Sequence, residues 1–340
     1  MGDSRSKPWS RREFLGGLTT AAAAVSWGLT PKPAAAEPAP ETTTIRLIRI
    51  PGICIAPQYV AEDLLRAEGF RRVDYVESQA GIEPAKILSS GQADLTMNFV
   101  APFIIRMDAG DPVVLLAGVH VGCFELFGTE GVHKVTDLRG RTVAVQALGS
   151  SQHVFLSTMA AYVGLDPQRD INWVTRPSAE GMRLLAAGKV DAYLGFPPDP
   201  QELRAKKVGH VVVSSAVDRP WSQYFCCTVG GNREFVRRHP VATKRAVRAI
   251  LKAADICARE PERAARTVVE RGYVRNYDYA RQTMRDVPYT QWRSYDPEDT
   301  VRFYALRLRE AGMIKSSPRQ IIARGTDWRF LNELKKELKG

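Results

Sequence analysis

The sequence lacks the marks of several protein classes. No apolar run among its 340 residues is long and uncharged enough for a permease, so the chain is not itself a channel or transporter. It has only five cysteines and no CxxC spacing, which argues against a structural zinc site. No motif combines basic and aromatic side chains in the manner of nucleic-acid-binding proteins, so we expect no nucleic acid partner. The remaining composition, 44% hydrophobic and 25% charged, is typical of a globular protein.

Positive charge is in excess but unevenly distributed. The formal net charge is +11. Residues 37–230 carry 18 basic and 21 acidic side chains, whereas residues 231–340 carry 25 basic and 14 acidic ones. Because the excess is concentrated in predicted helices of the last third, we expect those basic residues to lie on solvated helix backs. Weak attraction to an anionic membrane or to a permease is the alternative interpretation.

The first 36 residues have the pattern of an export signal. Basic side chains precede an uncharged run over residues 14–31, and small residues follow at positions 34–36. The string SRREFL at residues 10–15 resembles the twin-arginine consensus, although a chance pair of arginines is the alternative. We therefore expect folded export through the twin-arginine translocase, cleavage after Ala36 and a periplasmic mature protein. Residues 37–44 form a Pro/Ala/Thr linker.

The five cysteines are an odd number for a protein in an oxidising compartment. Cys226 and Cys227 are adjacent and would form only a strained bridge. His120 and Cys123 are conceivable metal ligands, but a buried histidine and a small apolar thiol are the favoured interpretation. We expect most thiols to be reduced and buried, and we expect no metal and no cofactor.

A strand–helix alternation repeats at a fixed offset of 97 residues. Strands are predicted at residues 45–50, 73–77, 94–98, 142–145, 171–174 and 191–195. The local echo is clearest between GQADLTMNF at residues 91–99 and GKVDAYLGF at residues 188–196. The repeat predicts two lobes, each an open α/β sheet built from right-handed βαβ units. Ligands of such sheets collect beyond the carboxyl ends of the strands, so the lobes should face each other across a cleft.

The last third of the chain is predicted to be mainly helical. Apolar spacing predicts helices over residues 241–258, 261–271, 297–311 and 328–338. In the first of these, Val247, Ile250 and Leu251 share one face opposite a charged back. We expect the helices to cover the sheet of lobe one, because an α/β sheet needs helices on both faces.

Several strings resemble landmarks of a known family. They are IRLIRI at 45–50, SGQADL at 90–95, AGDPV at 109–113, TDLRGRTVAV at 136–145, AGKVDA at 187–192 and FVRRHP at 235–240. On these strings the chain resembles the periplasmic solute-binding proteins of ABC importers, of the nitrate/sulfonate/taurine type (NMT1/THI5-like). The resemblance spans roughly residues 45–330 and is specific for the family, though not for a substrate.

The resemblance implies an α/β, bilobal type II periplasmic binding protein. Lobe one would contain residues 45–120 and 228–340 with the C-terminal helices, and lobe two residues 121–227. The hinge crossings would lie near residues 115–127 and 211–227. The implied function is that of a monomer that captures a small organic anion, sulfonate-like or a carboxylate, and delivers it to an ABC permease. Lobe closure around the ligand would need no covalent chemistry.

The main alternative is an enzyme on the same fold, because thiamine-precursor pyrimidine synthases are similar to this family. Those enzymes carry a cysteine-rich motif near the first hinge, which only His120 and Cys123 echo here. A regulatory domain of a transcription factor shares the architecture too. It would need a helix-turn-helix ahead of Ile45, where the export signal lies.

The loops after the predicted strands and the hinge segments carry the candidate ligand-binding residues. They are Cys54, Ile55, Gln79, Asn98, Phe99, Cys123, Ser150, Ser151, Gln152, Phe196, Trp221 and Tyr224. Ser150 and Ser151 begin a predicted helix whose free N–H groups favour an anion, with a plain N-cap as the alternative. Phe99 and Phe196 occupy equivalent repeat positions and would either sandwich an organic ligand or pack in the core. Arg49, at the end of the first predicted strand, is the one candidate cation. Because so few cations are available to bind an inorganic anion, the sequence favours an organic ligand with an apolar part.

We predict that the double substitution Arg11→Lys, Arg12→Lys blocks export, because a twin-arginine signal is read by its arginine pair rather than by charge alone. Cell fractionation measures the periplasmic share of the protein. Arg5→Lys keeps the same charge outside the pair and serves as the matched control, which should be exported normally. Full export of the double variant would contradict the interpretation of residues 1–36.

Overall fold

Two sheets organise the residues that the computed structural model describes, 37–78 and 84–339. The strands are β1 (Thr44–Arg49), β2 (Arg72–Glu77), β3 (Leu95–Phe99), β4 (Val113–Val121), β5 (Glu125–Gly128), β6 (Arg141–Val145), β7 (Ile171–Thr175), β8 (Ala192–Gly195), β9 (His210–Ser214) and β10 (Phe225–Asn232). Their orders are β2-β1-β3-β10-β4 and β7-β6-β8-β5-β9. This arrangement confirms the predicted bilobal α/β architecture, with one five-stranded sheet in each lobe.

The two sheets are built in the same way. In the first sheet β1 lies between β2 and β3 and is parallel to both, and in the second sheet β6 lies between β7 and β8 and is parallel to both. The fourth strand in each order runs antiparallel, β10 in the first sheet and β5 in the second. Because β1 begins at Thr44 and β6 at Arg141, the offset is the predicted 97 residues. The internal repeat is therefore confirmed at the level of strand order.

Helices cover both sheets. They are α1 (Ala56–Val60), α2 (Glu62–Ala67), α3 (Pro84–Ser89), α4 (Val100–Asp108), α5 (Ser151–Tyr162), α6 (Ser178–Ala186), α7 (Asp199–Lys206), α8 (Arg233–Arg238), α9 (Pro240–Arg259), α10 (Pro261–Glu270), α11 (Tyr277–Asp286), α12 (Pro297–Glu310), α13 (Pro318–Gly325) and α14 (Arg329–Glu337). The four helices predicted in the last third correspond to α9, α10, α12 and α14. Sequence spacing did not predict α4, which follows β3 directly and whose N-cap, Phe99, makes no side-chain capping bond.

The long helix α9 has the predicted apolar face, and its basic back is solvated in part: Arg259 is exposed and the Lys252 side chain is 43% exposed, but Arg248 is not solvated. Val247 and Ile250 on the apolar face are fully buried. On the opposite face, Arg248 pairs with Glu68 at 2.7 Å and with Glu337 at 3.1 Å. The side chains of Arg248 and Glu68 are only 12% exposed. The expectation of a solvated side chain is wrong for Arg248, because the ends of α2 and α14 supply carboxylates to the same face.

The C-terminal segment protects the edge of the first sheet. All nine residues of β4 are buried although β4 is the last strand in its order. Leu115 on this strand forms a parallel bridge with Thr326, and its carbonyl accepts a hydrogen bond from the Asp327 N–H at 2.9 Å. An unpaired strand edge is prone to association with other chains. The segment after α13 thus removes part of that edge from solvent.

The chain crosses between the sheets twice, after β4 and after β9, and the two crossings touch. The Ser215 hydroxyl accepts hydrogen bonds from the N–H groups of Cys123 at 3.1 Å and Phe124 at 2.9 Å. Gly122 has a φ of +56°, and a Cβ on it would lie 2.2 Å from the Ala216 Cα. We call this meeting of residues 122–124 with residues 215–216 the crossing contact. The exact lobe boundaries, near residues 120 and 227, stay a prediction.

The described residues from Ala39 onward belong to one compact unit. Within the described ranges, no helix combines the length and the apolar character that a membrane crossing requires. The export signal predicted for residues 1–36 lies outside the described residues.

We predict that Gly122→Ala destabilises the protein more than Gly140→Ala does. Both glycines have positive φ values, but a Cβ on Gly140 meets no atom within 4 Å. Gly140→Ala should therefore cost only the backbone strain, about 1–2 kcal/mol. Gly122→Ala adds the clash with Ala216 and should lower the free energy of unfolding by about 2–5 kcal/mol. Urea unfolding of both variants measures the difference, and equal losses would argue against close packing at the crossing contact.

Candidate functional site

A cavity of about 830 Å³ lies between the two sheets. Its walls come from loops that follow β1, β3, β6, β7 and β8, together with residues of α3 and α4. Parallel strands present their carboxyl ends at the same edge of a sheet, and ligands of open α/β sheets bind there. The repeat therefore brings two such edges together around one space.

Eight of the predicted site residues line this cavity. They are Cys54, Ile55, Asn98, Phe99, Ser150, Ser151, Gln152 and Phe196. Cys123 lies behind the wall, in contact with Cys226. Gln79 lies outside the described residues.

Trp221 and Tyr224 are not part of the cavity lining. The Tyr224 ring stacks on Phe303 of α12, with 3.9 Å between ring centroids, and Trp221 meets Phe303 and Phe155 edge-on. The segment before β10 therefore packs against α12, which offers the half-buried Phe303 as an aromatic partner. These two aromatic residues therefore pack between elements instead of forming the expected cleft wall.

The N-terminus of α5 points its first amides at the cavity. The Ser150 side chain caps the helix by accepting a hydrogen bond from the His153 N–H at 3.4 Å, so the N-cap interpretation is confirmed for Ser150. The N–H groups of Ser151 and Gln152 have no acceptor among the described residues. The positive end of the helix dipole lies at these amides, which makes this part of the wall suited to an anion. Capping and anion binding are thus compatible here.

Gln152 adds a polar group that lacks a partner. It is 1% exposed, it lines the cavity, and its Nε2 makes no hydrogen bond to any described residue. A buried amide without a partner costs about 1–3 kcal/mol. A ligand oxygen in the cavity is the acceptor that would remove this cost.

Three cations line the cavity, and sequence reasoning missed all of them. They are Lys86 on α3, Arg106 on α4 and Arg176 after β7. Arg106 pairs with Asp111, and Arg176 Nε lies 3.4 Å from Glu180. Among the described lining residues there is no Asp or Glu. The field in the cavity therefore favours an anion.

The sequence contained enough information to place Arg176 at the cavity. Arg49, the cation predicted from the sequence, does not line the cavity. Arg176 follows β7 as Gln146 follows β6, and these strands are parallel neighbours. The strand-end rule applied to β7 would have placed Arg176 at the cavity. Arg49 instead pairs with Glu77 at 3.2 Å and donates to the Gly272 carbonyl at 2.8 Å. It is absent from the cavity lining.

The apolar part of the wall is aromatic. Phe99 packs edge-on against Phe124, Phe155 and Tyr304, with centroids 5.2–5.3 Å apart. Phe196, from the other lobe, meets Phe124 at 5.9 Å. Phe99 is thus both a core residue and a lining residue, so the two interpretations of this side chain coexist. The wall can hold the carbon skeleton of an organic ligand.

The lobes touch directly beside the cavity. The Ile53 N–H donates a hydrogen bond to the Pro197 carbonyl at 3.0 Å. Next to it, a Cβ on Gly52 would lie 3.0 Å from the Phe196 ring, so glycine permits the close approach. These contacts join a lobe-one loop to a lobe-two loop directly beside the cavity.

Four buried sulfur and nitrogen donors lie together at the back of the cavity wall. We call them the thiol–imidazole cluster, and its residues are Cys54, His120, Cys123 and Cys227. Their donor atoms all lie within 4.8 Å of one another. Cys54 and Cys227 also line the cavity. All five cysteines of the chain are buried, as predicted, and are free thiols.

The thiols of this region differ in acidity. Hydrogen bonds from Cys123, Cys226 and Cys54 hold the pKa of Cys227 well below its usual range. Burial raises the pKa of Cys123. For His120, burial opposes protonation, but the nearby Cys227 sulfur and two backbone carbonyls raise its pKa above the ordinary value.

A buried carboxyl follows the lobe-two loop that begins with Phe196. Asp199 at the start of α7 is 7% exposed and accepts a hydrogen bond from the Tyr193 hydroxyl. Burial raises the pKa of Asp199 to about 6. The protonated carboxyl is therefore favoured in the folded protein below that pH.

Comparison with known proteins gives one family match. The profile of the NMT1-like family matches residues 38–271. No curated protein sequence matches the chain at a significant level.

Solved structures share the fold over most of this chain. The periplasmic nitrate-binding protein NrtA from Synechocystis PCC 6803 is 17% identical, with a TM-score of 0.70 over 89% of this chain and 90% of that one. The alkanesulfonate-binding protein SsuA from Xanthomonas axonopodis pv. citri, bound to MOPS, is 19% identical, with a TM-score of 0.66 over 86% and 100%. The desulfurization enzyme DSZB is 16% identical, with a TM-score of 0.60 over 86% and 99%. At these identities the likeness establishes the fold alone.

We predict that Asp199 makes the protein less stable as the pH rises from about 4 to about 7. Its pKa is raised in the folded state, so the folded protein holds this proton more tightly than the unfolded chain and loses stability when the carboxyl ionises. Relative to Asp199→Asn, the free energy of unfolding of the wild type should fall by at most about 3 kcal/mol over this range. Chemical unfolding at several pH values measures both proteins. Parallel pH profiles would contradict the assignment.

Proposed function

We propose that this chain, which belongs to the NMT1-like family, is the extracytoplasmic substrate-binding component of an ABC importer. The observation that carries the proposal is the cavity between the lobes, which has three cations and no carboxylate among its described lining residues. Its ligand is a small organic anion, sulfonate-like or a carboxylate. The cations and the α5 amides bind the anionic group, and the aromatic wall packs against the carbon part.

Both lobes contribute to the anion site, so binding favours the closed arrangement. Lys86 and Arg106 come from lobe one, and Arg176 with the amides of Ser151 and Gln152 from lobe two. A ligand that contacts the groups of both lobes binds the closed arrangement more tightly than the open one. The shift toward the closed population is set by this difference in affinity. The contact of Ile53 with Pro197 then forms part of the closed state.

The wider role is proposed from the family and from the export signal predicted for residues 1–36. We propose that the mature protein works as a monomer in the periplasm after twin-arginine export and delivers its ligand to a membrane permease. The similar nitrate-binding and alkanesulfonate-binding proteins support an anionic ligand.

Capture without chemical conversion is the proposed activity, although the fold also occurs in an enzyme, the desulfurization enzyme DSZB. A binding protein releases its ligand unaltered. Incubation of the protein with a bound ligand, followed by NMR of the recovered molecule, separates the two functions. A product of altered structure would replace the binding proposal with the enzyme alternative.

The proposal is tested by a thermal-shift panel on residues 37–340. The panel contains sulfonates, carboxylates, nitrate and pyrimidines. A ligand that binds only the folded state raises the melting temperature, and a concentration of about 100 times the Kd adds about 2.7 kcal/mol of stability. We expect organic sulfonates or carboxylates to stabilise the protein more than nitrate does. Failure of every class would refute the proposal.

Charge-removing variants then test the cavity. Arg176→Gln and Lys86→Gln should each weaken binding of the selected anion by about tenfold or more, because each removes a charge-assisted contact of about 1.5–3 kcal/mol. Arg49→Gln is the matched control, since it removes an equal charge outside the cavity and should leave the Kd unchanged. Isothermal titration calorimetry measures all three. Equal effects of Arg49→Gln and Arg176→Gln would mean that the anion binds elsewhere.

A further inference from the structure

We propose that the thiol–imidazole cluster is a metal site for a thiophilic divalent ion of the zinc type. Three thiols and one imidazole form the Cys₃His donor set that Zn²⁺ takes in structural sites. The four donors are buried. Among the described residues, this is the one cluster of three or more such side chains whose donor atoms are close enough together to hold a metal ion. The site is separate from the anion-binding groups of the cavity, and it goes beyond the proposed transport function.

The spacing of the donors suits a tetrahedral ion. The donor atoms lie within 4.8 Å of one another. With Zn–S distances of about 2.3 Å, neighbouring sulfurs of a tetrahedral site are about 3.8 Å apart. The largest contraction needed is therefore about 1 Å, a displacement of the size that a change in a side-chain torsion angle produces.

His120 is prepared as a ligand by its backbone contacts. Its Nδ1 lies 3.0 Å from the Gly122 carbonyl, which can only accept, so Nδ1 carries the proton. In the neutral ring the lone pair is then on Nε2, which is buried and makes no hydrogen bond of normal geometry to a described residue. A metal-binding histidine typically has this arrangement, with one nitrogen donating to a carbonyl and the other facing the ion. An orphaned buried nitrogen needs a partner, and a metal ion would be one.

Neighbouring groups hold the other ligands in place. The Tyr289 hydroxyl donates to the Cys54 carbonyl at 3.1 Å, and the Tyr289 ring meets the His120 ring edge-on at 5.3 Å. The Cys123 N–H donates to Ser215 at 3.1 Å. The backbone on which the donors sit is therefore fixed before any ion binds, which lowers the conformational cost of binding.

The four ligands come from four separate places in the chain, which is why no CxxC spacing reveals them. Cys54 lies in the loop after β1, His120 on β4, Cys123 in the first crossing and Cys227 on β10. An ion would therefore join the cavity loop to β4, which leads into the first crossing, and to β10, which follows the second crossing. Metal binding should raise the stability of the folded protein and restrain the loop that carries Cys54 in the cavity wall.

The ion is tested with Co²⁺ and Zn²⁺ on the full-length chain, purified under reducing conditions and stripped with a chelator. Tetrahedral Co²⁺ with thiolate ligands gives a charge-transfer band in the near ultraviolet and intense visible bands. We expect these bands at one equivalent of Co²⁺, their loss on addition of Zn²⁺, and a higher melting temperature with Zn²⁺. Absence of the bands from the reduced wild type would overturn the proposal.

Single substitutions identify the ligands. His120→Gln and Cys227→Ser should each lower the affinity for Zn²⁺ by about 100-fold or more. Cys257→Ser is the matched control, because Cys257 is a fully buried cysteine on α9 outside the cluster, and it should bind normally. Circular dichroism of each stripped variant verifies that the fold is kept. If His120→Gln and Cys227→Ser both bind Zn²⁺ as tightly as the wild type, the ligand assignment is wrong.

Cys226→Ser separates metal binding from thiol oxidation. The Cys226 and Cys123 sulfurs lie 3.3 Å apart, so these two thiols could oxidise to a disulfide that removes one ligand. In the proposed site Cys226 is not a ligand, and Cys226→Ser should keep the Co²⁺ bands and Zn²⁺ affinity. Loss of metal binding in Cys226→Ser, with binding retained in His120→Gln, would contradict the proposed donor set.

Discussion

The crossing contact is the constraint on which the rest of the structure depends. The first sheet takes β10 from the returning chain, whereas the second sheet is built from β5–β9 alone, so the chain passes between the lobes only at the two crossings. At that place the Ser215 hydroxyl binds the backbone of the first crossing, and Gly122 leaves room for Ala216. Because the crossings lie side by side, the carboxyl ends of both sets of parallel strands face the same space. The cavity is a consequence of this geometry.

The chemistry of the cavity comes from residues that no single element could supply. Two cations lie on helices of lobe one, the third follows a strand of lobe two, and free amides lie at the start of α5. Each group alone has an ordinary explanation in loop or helix structure. Their convergence, without a described carboxylate among them, gives the site a preference for anions. The adjoining aromatic wall gives it a preference for anions that carry carbon.

Local patterns predicted the fold well and the site less completely. The repeat around SGQADL and the apolar faces of helices such as α9 depend on neighbouring residues, so periodicity reveals them. Arg176 required knowledge of which strands are parallel neighbours. Lys86 and Arg106 lie on helices, where a basic side chain normally faces solvent, and nothing in their spacing indicates a cavity. The association of Cys54 with Cys227 joins residues far apart in the chain, which only the folded sheet brings together.

The hydrogen bond between Ile53 and Pro197 has a consequence for how such a protein diversifies. It joins the lobes through main-chain atoms only, so it does not depend on the identity of the side chains around the cavity. Substitutions can therefore exchange the polar and aromatic lining for one that suits another solute without removing this contact. In these loops the side chains recognise the ligand, whereas main-chain atoms hold the lobes together. Selection can therefore change ligand specificity while it preserves the contact between the lobes.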